Sequence, residues 1–389
     1  VASIHERYEQ VEDTKGRIDF EDVLLAMLGM VEQEKRVADR VRAQYSVFLV
    51  DEYQDVSPLQ QKLLDAWLGD REDLVVVGDA SQTIYTFAGA SSSYLLDFPE
   101  RYPRGTVVKL EQNYRSGEHI VRAANHIMGG RPGALTLQAQ EGAAEPLHRH
   151  IARSDQAEAQ YVASTISGLI QQGHSPDGIA ILIRFGAQSL EVESALRAAG
   201  IGVRVHGATP FFEETHVKRA LMEIRGAAVA GVQLPLTRVV EDILFGLGLQ
   251  GEAPDHQGAE RNRYDDLLAL AALAQSMPEG STVAEFSQLL SDRSGAGDAP
   301  DLGAITITTV HSAKGREWPV VFVVGLSEGM FPISYATTES ALDEERRLFY
   351  VAITRARDHL YLSMAERGRA EASPRTPSRF LEALSGGAS

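Results

Sequence analysis

The sequence predicts an α/β fold, with two parallel-sheet domains and a small helical insertion. Three observations support this. Short apolar runs alternate with helical patterns, the rhythm of strands joined by crossover helices. That rhythm stops after Ser116 and begins again near Tyr161. Between about Gly226 and Pro300 it gives way to helix alone.

Taken in order, residues 1–45 read as helix, with Val23, Leu24, Met27, Leu28 and Val31 on one apolar stripe. Asp19-Phe20-Glu21-Asp22 gives an amphipathic helix the acidic start it favours. Residues 47–50, 74–77 and 107–110 read as strands of a first sheet. A helix over 58–68 links the first two, with proline in its opening turn. In the second sheet, 179–183, 203–205, 305–310, 320–324 and 360–363 read as strands. Residues 161–170, 190–199 and 342–356 read as its helices, and Gly200 and Gly207 punctuate them. Within the insertion, Leu236, Val239, Val240, Ile243, Leu244 and Leu247 form a helical stripe, bounded later by a loop over 291–300. From Ser373 the chain is rich in Pro, Ser and Gly, and a short helix over 378–384 is expected between flexible ends.

With 389 residues and 44% hydrophobic content, the chain can bury two or three domain cores. No apolar run reaches the roughly 18 residues that a membrane span needs. No basic segment followed by an apolar one opens the chain, so no signal peptide is expected. The absence of cysteine excludes disulfides and thiolate metal sites. A formal charge of −17 argues against a basic nucleic-acid coat protein. It leaves room for a nucleic-acid motor, which needs only a local groove of positive potential.

Phe48-Leu49-Val50-Asp51-Glu52-Tyr53-Gln54-Asp55 ends an apolar run in two adjacent carboxylates. Ligands collect at the carboxyl ends of strands in open parallel sheets. There, one carboxylate can hold Mg²⁺ while its neighbour orients a water toward a γ-phosphate. A solvated acidic turn is the plain alternative. Four further stretches follow in order: Val77-Gly78-Asp79-Ala80-Ser81-Gln82-Thr83-Ile84-Tyr85, Leu110-Glu111-Gln112-Asn113-Tyr114-Arg115-Ser116, His311-Ser312-Ala313-Lys314-Gly315-Arg316-Glu317-Trp318 and Tyr350-Val351-Ala352-Ile353-Thr354-Arg355-Ala356-Arg357. Together the five resemble motifs II to VI of the superfamily 1 DNA helicases of the UvrD, PcrA and Rep type.

The resemblance covers almost all of the chain and implies two RecA-like motor domains, the first incomplete. Residues 1–116 would be the later part of the first, with a remnant of the family's helical 1B region in 1–45. Residues 117–225 and 301–389 would form the second, with 226–300 a reduced counterpart of the family's 2B insertion. Ile181-Leu182-Ile183-Arg184 and Pro210-Phe211-Phe212-Glu213 follow that second domain closely. The implied activity is an ATP-dependent 3′→5′ helicase or translocase in DNA repair or replication. Its cofactors would be ATP and Mg²⁺, its substrates single-stranded and single/double-strand junction DNA, and its location the cytoplasm at the nucleoid.

The resemblance assigns Asp51 and Glu52 to Mg²⁺, Glu52 also to the attacking water, and Gln82 to the γ-phosphate. Arg115 and Arg355 would be arginine fingers, a device worth about 10³–10⁵-fold in rate. Tyr114 would stack on adenine and Glu317 would accept from the ribose hydroxyls. Tyr85 and Phe87 would offer stacking faces to DNA bases, on one side of an extended segment. Arg184 and His311 would approach the DNA backbone. Plain structural readings stand beside these: salt-bridge arginines, a core aromatic for Tyr114, a satisfied core histidine for His311.

The chain departs from the family at several points. Phe87 stands where tryptophan is usual, and Ala88 where arginine is usual, which weakens the expected hold on DNA. The insertion is small, which puts its usual autoregulatory role in doubt. Gly246-Leu247-Gly248-Leu249-Gln250-Gly251 spells a dinucleotide fingerprint but ends a helical stripe, so it reads as C-terminal glycine punctuation. No G-x-x-x-x-G-K-[ST] phosphate loop occurs. In the family that loop lies upstream of motif II, so the residues read as the later part of a longer helicase. A non-hydrolysing nucleic-acid-binding or scaffold module on the same fold is the alternative, and the motor of a helicase–nuclease subunit a more distant one. Residues 1–389 alone are therefore expected to hydrolyse ATP poorly. Phosphate release with and without single-stranded DNA checks this, and robust DNA-stimulated turnover would refute it.

Overall fold

The computed structural model describes residues 2–140, 147–206, 212, 214–250, 259–295, 304–368 and 374–384. Of the Pro210–Glu213 stretch only Phe212 is included, and Gly207, Gly251, Ser373 and residues 296–300 of the expected loop lie outside the described residues. The chain divides into two compact units. One holds Val1–Leu110 with Gly130–Ala134, the other Glu111–Gly129 with Leu135–Ser389.

The first unit opens with three helices, α1 (Ala2–Lys15), α2 (Phe20–Gln33) and α3 (Lys35–Gln44). Asp19 and Asp22 close a reciprocal capping box at the start of α2, so the acidic turn read in the sequence has a local structural task. Strand β1 (Phe48–Val50) pairs in parallel with β2 (Leu74–Val76), and α4 (Pro58–Leu68) crosses between them. Ser57 and Gln60 cap α4 and Pro58 occupies its first turn, which fixes where the crossover begins. Two short helices follow, α5 (Ser93–Leu96) and α6 (Phe98–Arg101).

The strand expected over 107–110 does not form. Val107, Val108 and Leu110 are exposed, and no strand runs beside them among the described residues. β-Propensity describes fit to a half-buried pleated surface, and this run has no such surface to join. Pairing comes later instead, between β3 (Gln112–Asn113) and β4 (Gln138–Ala139), on either side of α7 (Glu118–Met128).

The second unit is built on six parallel strands. They are β5 (His148–Ala152), β6 (Ile179–Ile183), β7 (Val203–His206), β8 (Ile305–Thr309), β9 (Trp318–Val323) and β10 (Ala356–Ala365), in the order β5-β10-β9-β6-β8-β7. β6 lies at the centre, every one of its residues buried. That explains its continuous apolar run, since a strand covered on both faces has no reason to alternate. Helices α8 (Asp155–Gln171) and α9 (Ser189–Ala198) cover one face through Val162, Ile166, Val192 and Leu196.

The insertion begins at α10 (Thr215–Val229), earlier than Gly226 suggested. Val217, Ala220 and Ile224 of α10 share one core with α11 (Leu236–Gly246), α12 (Ala259–Gln275) and α13 (Val283–Gly295), so the glycine sits inside a helix. α11 ends at Gly246, and Gly248 takes φ +105°. The fingerprint-like run therefore leaves a helix and follows no strand. After β9, α14 (Glu339–Ile353) ends before Ala356, which already belongs to β10. Residues 374–384 are firmly placed, against the expected flexible flank. Ser378 N–H donates to Leu326 O at 2.9 Å, Glu328 pairs with Arg379, and Phe380 of α15 (Arg379–Ala383) stacks on Phe349. No helix among the described residues is long and apolar enough to cross a membrane.

The centre of the sheet should dominate the stability of this unit. Ile181→Ala in β6 removes a fully buried side chain from the core and is expected to cost about 2–5 kcal/mol. Urea denaturation followed by circular dichroism reads this, and a change under about 0.5 kcal/mol would contradict the packing described.

Candidate functional site

In the first unit, β1 delivers Asp51 and Glu52 to the exposed carboxyl end of the strand. Glu52 has φ +51°, the only positive φ at a non-glycine residue among the described ones. Such a conformation costs on the order of 1–3 kcal/mol and persists only where its surroundings enforce it. Here they do. Tyr53 N–H donates to Val77 O at 2.9 Å, and its buried hydroxyl donates to Gln61 Oε1 at 2.6 Å. The next residue, Gln54, is fully buried. Its Nε2 donates to Glu52 Oε2 at 2.5 Å, while its Oε1 accepts from Asp79 N–H at 3.0 Å. Asp79 in turn accepts from Gln82 Nε2 at 3.0 Å and from Ser81 N–H. A Cβ on Gly78 would lie 2.5 Å from Gln54 Oε1, so the backbone passes this close only as glycine. Glu52 and Gln82, forecast as partners in one reaction, are thus joined through Gln54 and Asp79.

Tyr85 and Phe87 do not lie on an extended segment. Thr86–Ala88 is a 3₁₀ turn, because Ala88 and Gly89 N–H close back onto Tyr85 and Thr86 carbonyls. The rings nevertheless come together edge to face, 6.1 Å apart. Phe87 is 70% exposed, whereas Tyr85 is half-buried. Burial, then the charges of Asp55 and Glu52, raise the Tyr85 hydroxyl above its usual range.

In the second unit three of the sequence stretches meet. Asn113 Oδ1 accepts from the backbone N–H of Arg115 and Ser116, which turns the chain after β3. Ser116 Oγ donates to Ala356 O at 2.6 Å, and Gly117 N–H to Arg357 O at 2.9 Å. Trp318 N–H donates to Arg355 O at 3.0 Å. Arg115 Nε donates to Glu317 Oε2 at 2.5 Å, with both side chains about two-fifths exposed. An ion pair so open to water is worth at most ~1 kcal/mol and is readily exchanged for another partner. Tyr114 is 77% exposed, which removes the core-aromatic reading.

Arg355 is placed differently from the open arginine finger the motif suggested. It is 2% exposed, and its guanidinium donates to Val351 O, Arg316 O and Thr354 Oγ1 at 3.1, 3.1 and 3.2 Å. Arg184 also differs from an open phosphate contact. It follows β6 and forms a buried ion pair with Glu345 of α14, 2.6 Å at the closest. His311 follows β8 and is half-buried. Desolvation, then the positive charge of Arg184, pull its pKa down to about 4, so it carries no charge at neutral pH.

Sequence reasoning passed over Gln54, Asp79, Asn113 and Glu345. The first three lay inside the motifs already singled out. Glu345 gave no signal, since 161 residues separate it from Arg184.

The UvrD-like helicase C-terminal domain family matches residues 108–250 and 261–367, and the UvrD/REP helicase N-terminal domain family matches residues 1–103. The ATP-dependent DNA helicase UvrD2 of Mycobacterium tuberculosis is 40% identical over 402 residues, covering 99% of this chain and 57% of that protein. The ATP-dependent DNA helicase PcrA of Bacillus subtilis is 28% identical over 474 residues, 98% of this chain and 63% of that protein. DNA helicase II of Escherichia coli K12 is 29% identical over 464 residues, 98% and 64% respectively. The chain thus spans about three fifths of the length of these relatives.

The state of His311 makes a prediction about pH. Folded, it binds a proton only near pH 4; unfolded, near 6.5. The unfolded state therefore holds more protons in that window, and stability falls as pH drops from 6.5 to 4. The residue should contribute a loss of about 3 kcal/mol across it. Urea denaturation at stepped pH should show a shallower acid slope for His311→Gln, and equal slopes would refute the assignment.

Proposed function

The chain belongs to the UvrD-like helicase family, and from that premise we propose that it forms part of an ATP-driven motor on single-stranded DNA. The first unit would be one motor lobe and the second unit the other, with α10–α13 as its helical insertion. Movement would run 3′→5′ and act at single/double-strand junctions in repair or replication. The observation that carries the reading is the joining of Arg115, Glu317 and Arg355 by the hydrogen bonds of Ser116, Trp318 and Arg316. Tyr114 is exposed one residue before the open Arg115–Glu317 ion pair, and the buried Arg355 lies behind Arg316. A ring, an acceptor carboxylate and a guanidinium are the chemical requirements for holding adenine, ribose and a charged phosphate chain.

On this reading Tyr114 stacks on adenine and Glu317 accepts from ribose. Arg115 leaves its exposed ion pair for phosphate oxygen, and Arg355 supports the same edge through Arg316. Glu52, held by Gln54, orients the attacking water, and Gln82 reports on the γ-phosphate through Asp79. Asp51 and Glu52 offer exposed hard oxygen donors at a strand end, a donor chemistry that fits Mg²⁺. Bound there, the ion would neutralise phosphate charge. Tyr85 and Phe87 would stack on DNA bases. The burial of Arg355 favours a second reading, a binding module that holds nucleic acid without turnover.

Fluorescence anisotropy with a labelled oligonucleotide tests the nucleic-acid part. The parent chain should bind single strands, and Phe87→Ala should weaken binding by about 1–3 kcal/mol. A parent that fails to bind, or a variant that binds as tightly as the parent, would contradict the proposal. Binding of a fluorescent ATP analogue that is unchanged in Arg115→Ala would contradict the nucleotide part.

A further inference from the structure

We propose that Glu345 is a positioning residue that latches Arg184 away from nucleic acid, its carboxylate standing where a strand phosphate would otherwise sit. The proposal rests on the single-strand reading above and adds a control element to it. Arg184 leaves the carboxyl end of the central strand β6, the edge where a parallel sheet presents its ligands. A guanidinium offers the same two-pronged fork to a carboxylate and to a phosphate. Here the carboxylate has taken it. Arg184 Nε lies 3.1 Å from both Glu345 oxygens and Nη2 lies 2.6 Å from Oε1. The side chains are only 10% and 5% exposed.

The neighbourhood holds both partners in place. Gln188 Oε1 accepts from the backbone N–H of Arg184 at 2.7 Å and of Phe185 at 3.0 Å, which fixes the turn after β6. Ile333 N–H donates to Glu345 Oε2 at 3.2 Å. His311, at the neighbouring exit of β8, is uncharged at neutral pH and so does not replace the charge that Glu345 cancels. In this arrangement neither Arg184, neutralised by Glu345, nor His311 adds positive charge at the β6 exit.

The placement of the latch gives it a route of control. Glu345 lies on α14, which runs eight residues further to Ile353, about 12 Å at the rise of an α-helix. Arg355 lies two residues beyond, bonded to Arg316 and Trp318. A displacement of α14 that moves one arginine therefore moves the carboxylate holding the other.

The slope of single-strand affinity against salt reads the number of protein charges that meet phosphates, about 0.7 in log–log form for each one. Merely structural roles leave it unchanged. Measured on residues 1–389 with a labelled oligonucleotide, folded Glu345→Gln should steepen the slope by about 0.7, since Arg184 is released to the strand. The double variant Arg184→Gln/Glu345→Gln should return to the parental slope. Breaking one half of a buried pair can unfold a protein, whereas replacing both halves by neutral groups of similar shape is tolerated. If the single variant fails to fold, Glu345→Asp, which keeps the charge but shortens its reach, takes its place: a steeper slope supports the latch and the parental slope overturns it. A double variant shallower by about 0.7 also overturns it, because Arg184 would already be meeting phosphate. A folded Glu345→Gln with the parental slope also overturns it. A parent that binds no single strand defeats the single-strand reading itself, and the latch falls with it.

Discussion

The second unit depends on one backbone constraint. Three segments far apart in sequence are tied edge to edge, by Ser116 Oγ to Ala356 O, Gly117 N–H to Arg357 O and Trp318 N–H to Arg355 O. These bonds extend the β9–β10 ladder at its entry, where Ala356 faces Trp318, and draw the turn after β3 onto it. This tie brings the backbones of Arg115, Glu317 and Arg355 together, and the Arg115–Glu317 ion pair and the hydrogen bonds of Arg355 build on it. It also explains why Glu111–Gly129 groups with the second unit, although the sequence reading drew the division after residue 116.

The candidate side chains are held with different stiffness. The Arg115–Glu317 pair is exposed, so solvent screens it and a ligand can exchange with it at little cost. Arg355 and the Arg184–Glu345 pair are withdrawn from water, where separating a charge from its acceptors is expensive. Glu52 is kept in a left-handed conformation by a fully buried glutamine that also grips Asp79. The residues assigned to chemistry thus sit one bond away from residues that fix them.

The central strands were legible because burial on both faces leaves an unbroken apolar run, as at Ile179–Ile183 and Trp318–Val323. Helix α4 was legible to the residue because Ser57, Pro58 and Gln60 mark its start. The run at 107–110 misled because propensity cannot show whether a neighbouring strand exists. Arg184 misled for a related reason. A motif gives a residue type at a position, but Glu345, the partner that decides what the guanidinium can do, is distant in sequence and follows no spacing rule. The 3₁₀ turn under Tyr85 and Phe87 is likewise set by local backbone closure that two aromatic residues do not announce.

The central claim is that the surface around Tyr114 receives adenine because the tie through Ser116 and Ala356 aims Arg115 at the attached phosphates. Photocrosslinking with an azido-adenine nucleoside triphosphate, mapped by peptide mass spectrometry, tests it most directly. The account predicts a label on the Asn113–Ser116 segment that competing ATP removes and that Arg115→Ala strongly reduces. A label confined to other segments, or one on Tyr114 indifferent to Arg115, would contradict it.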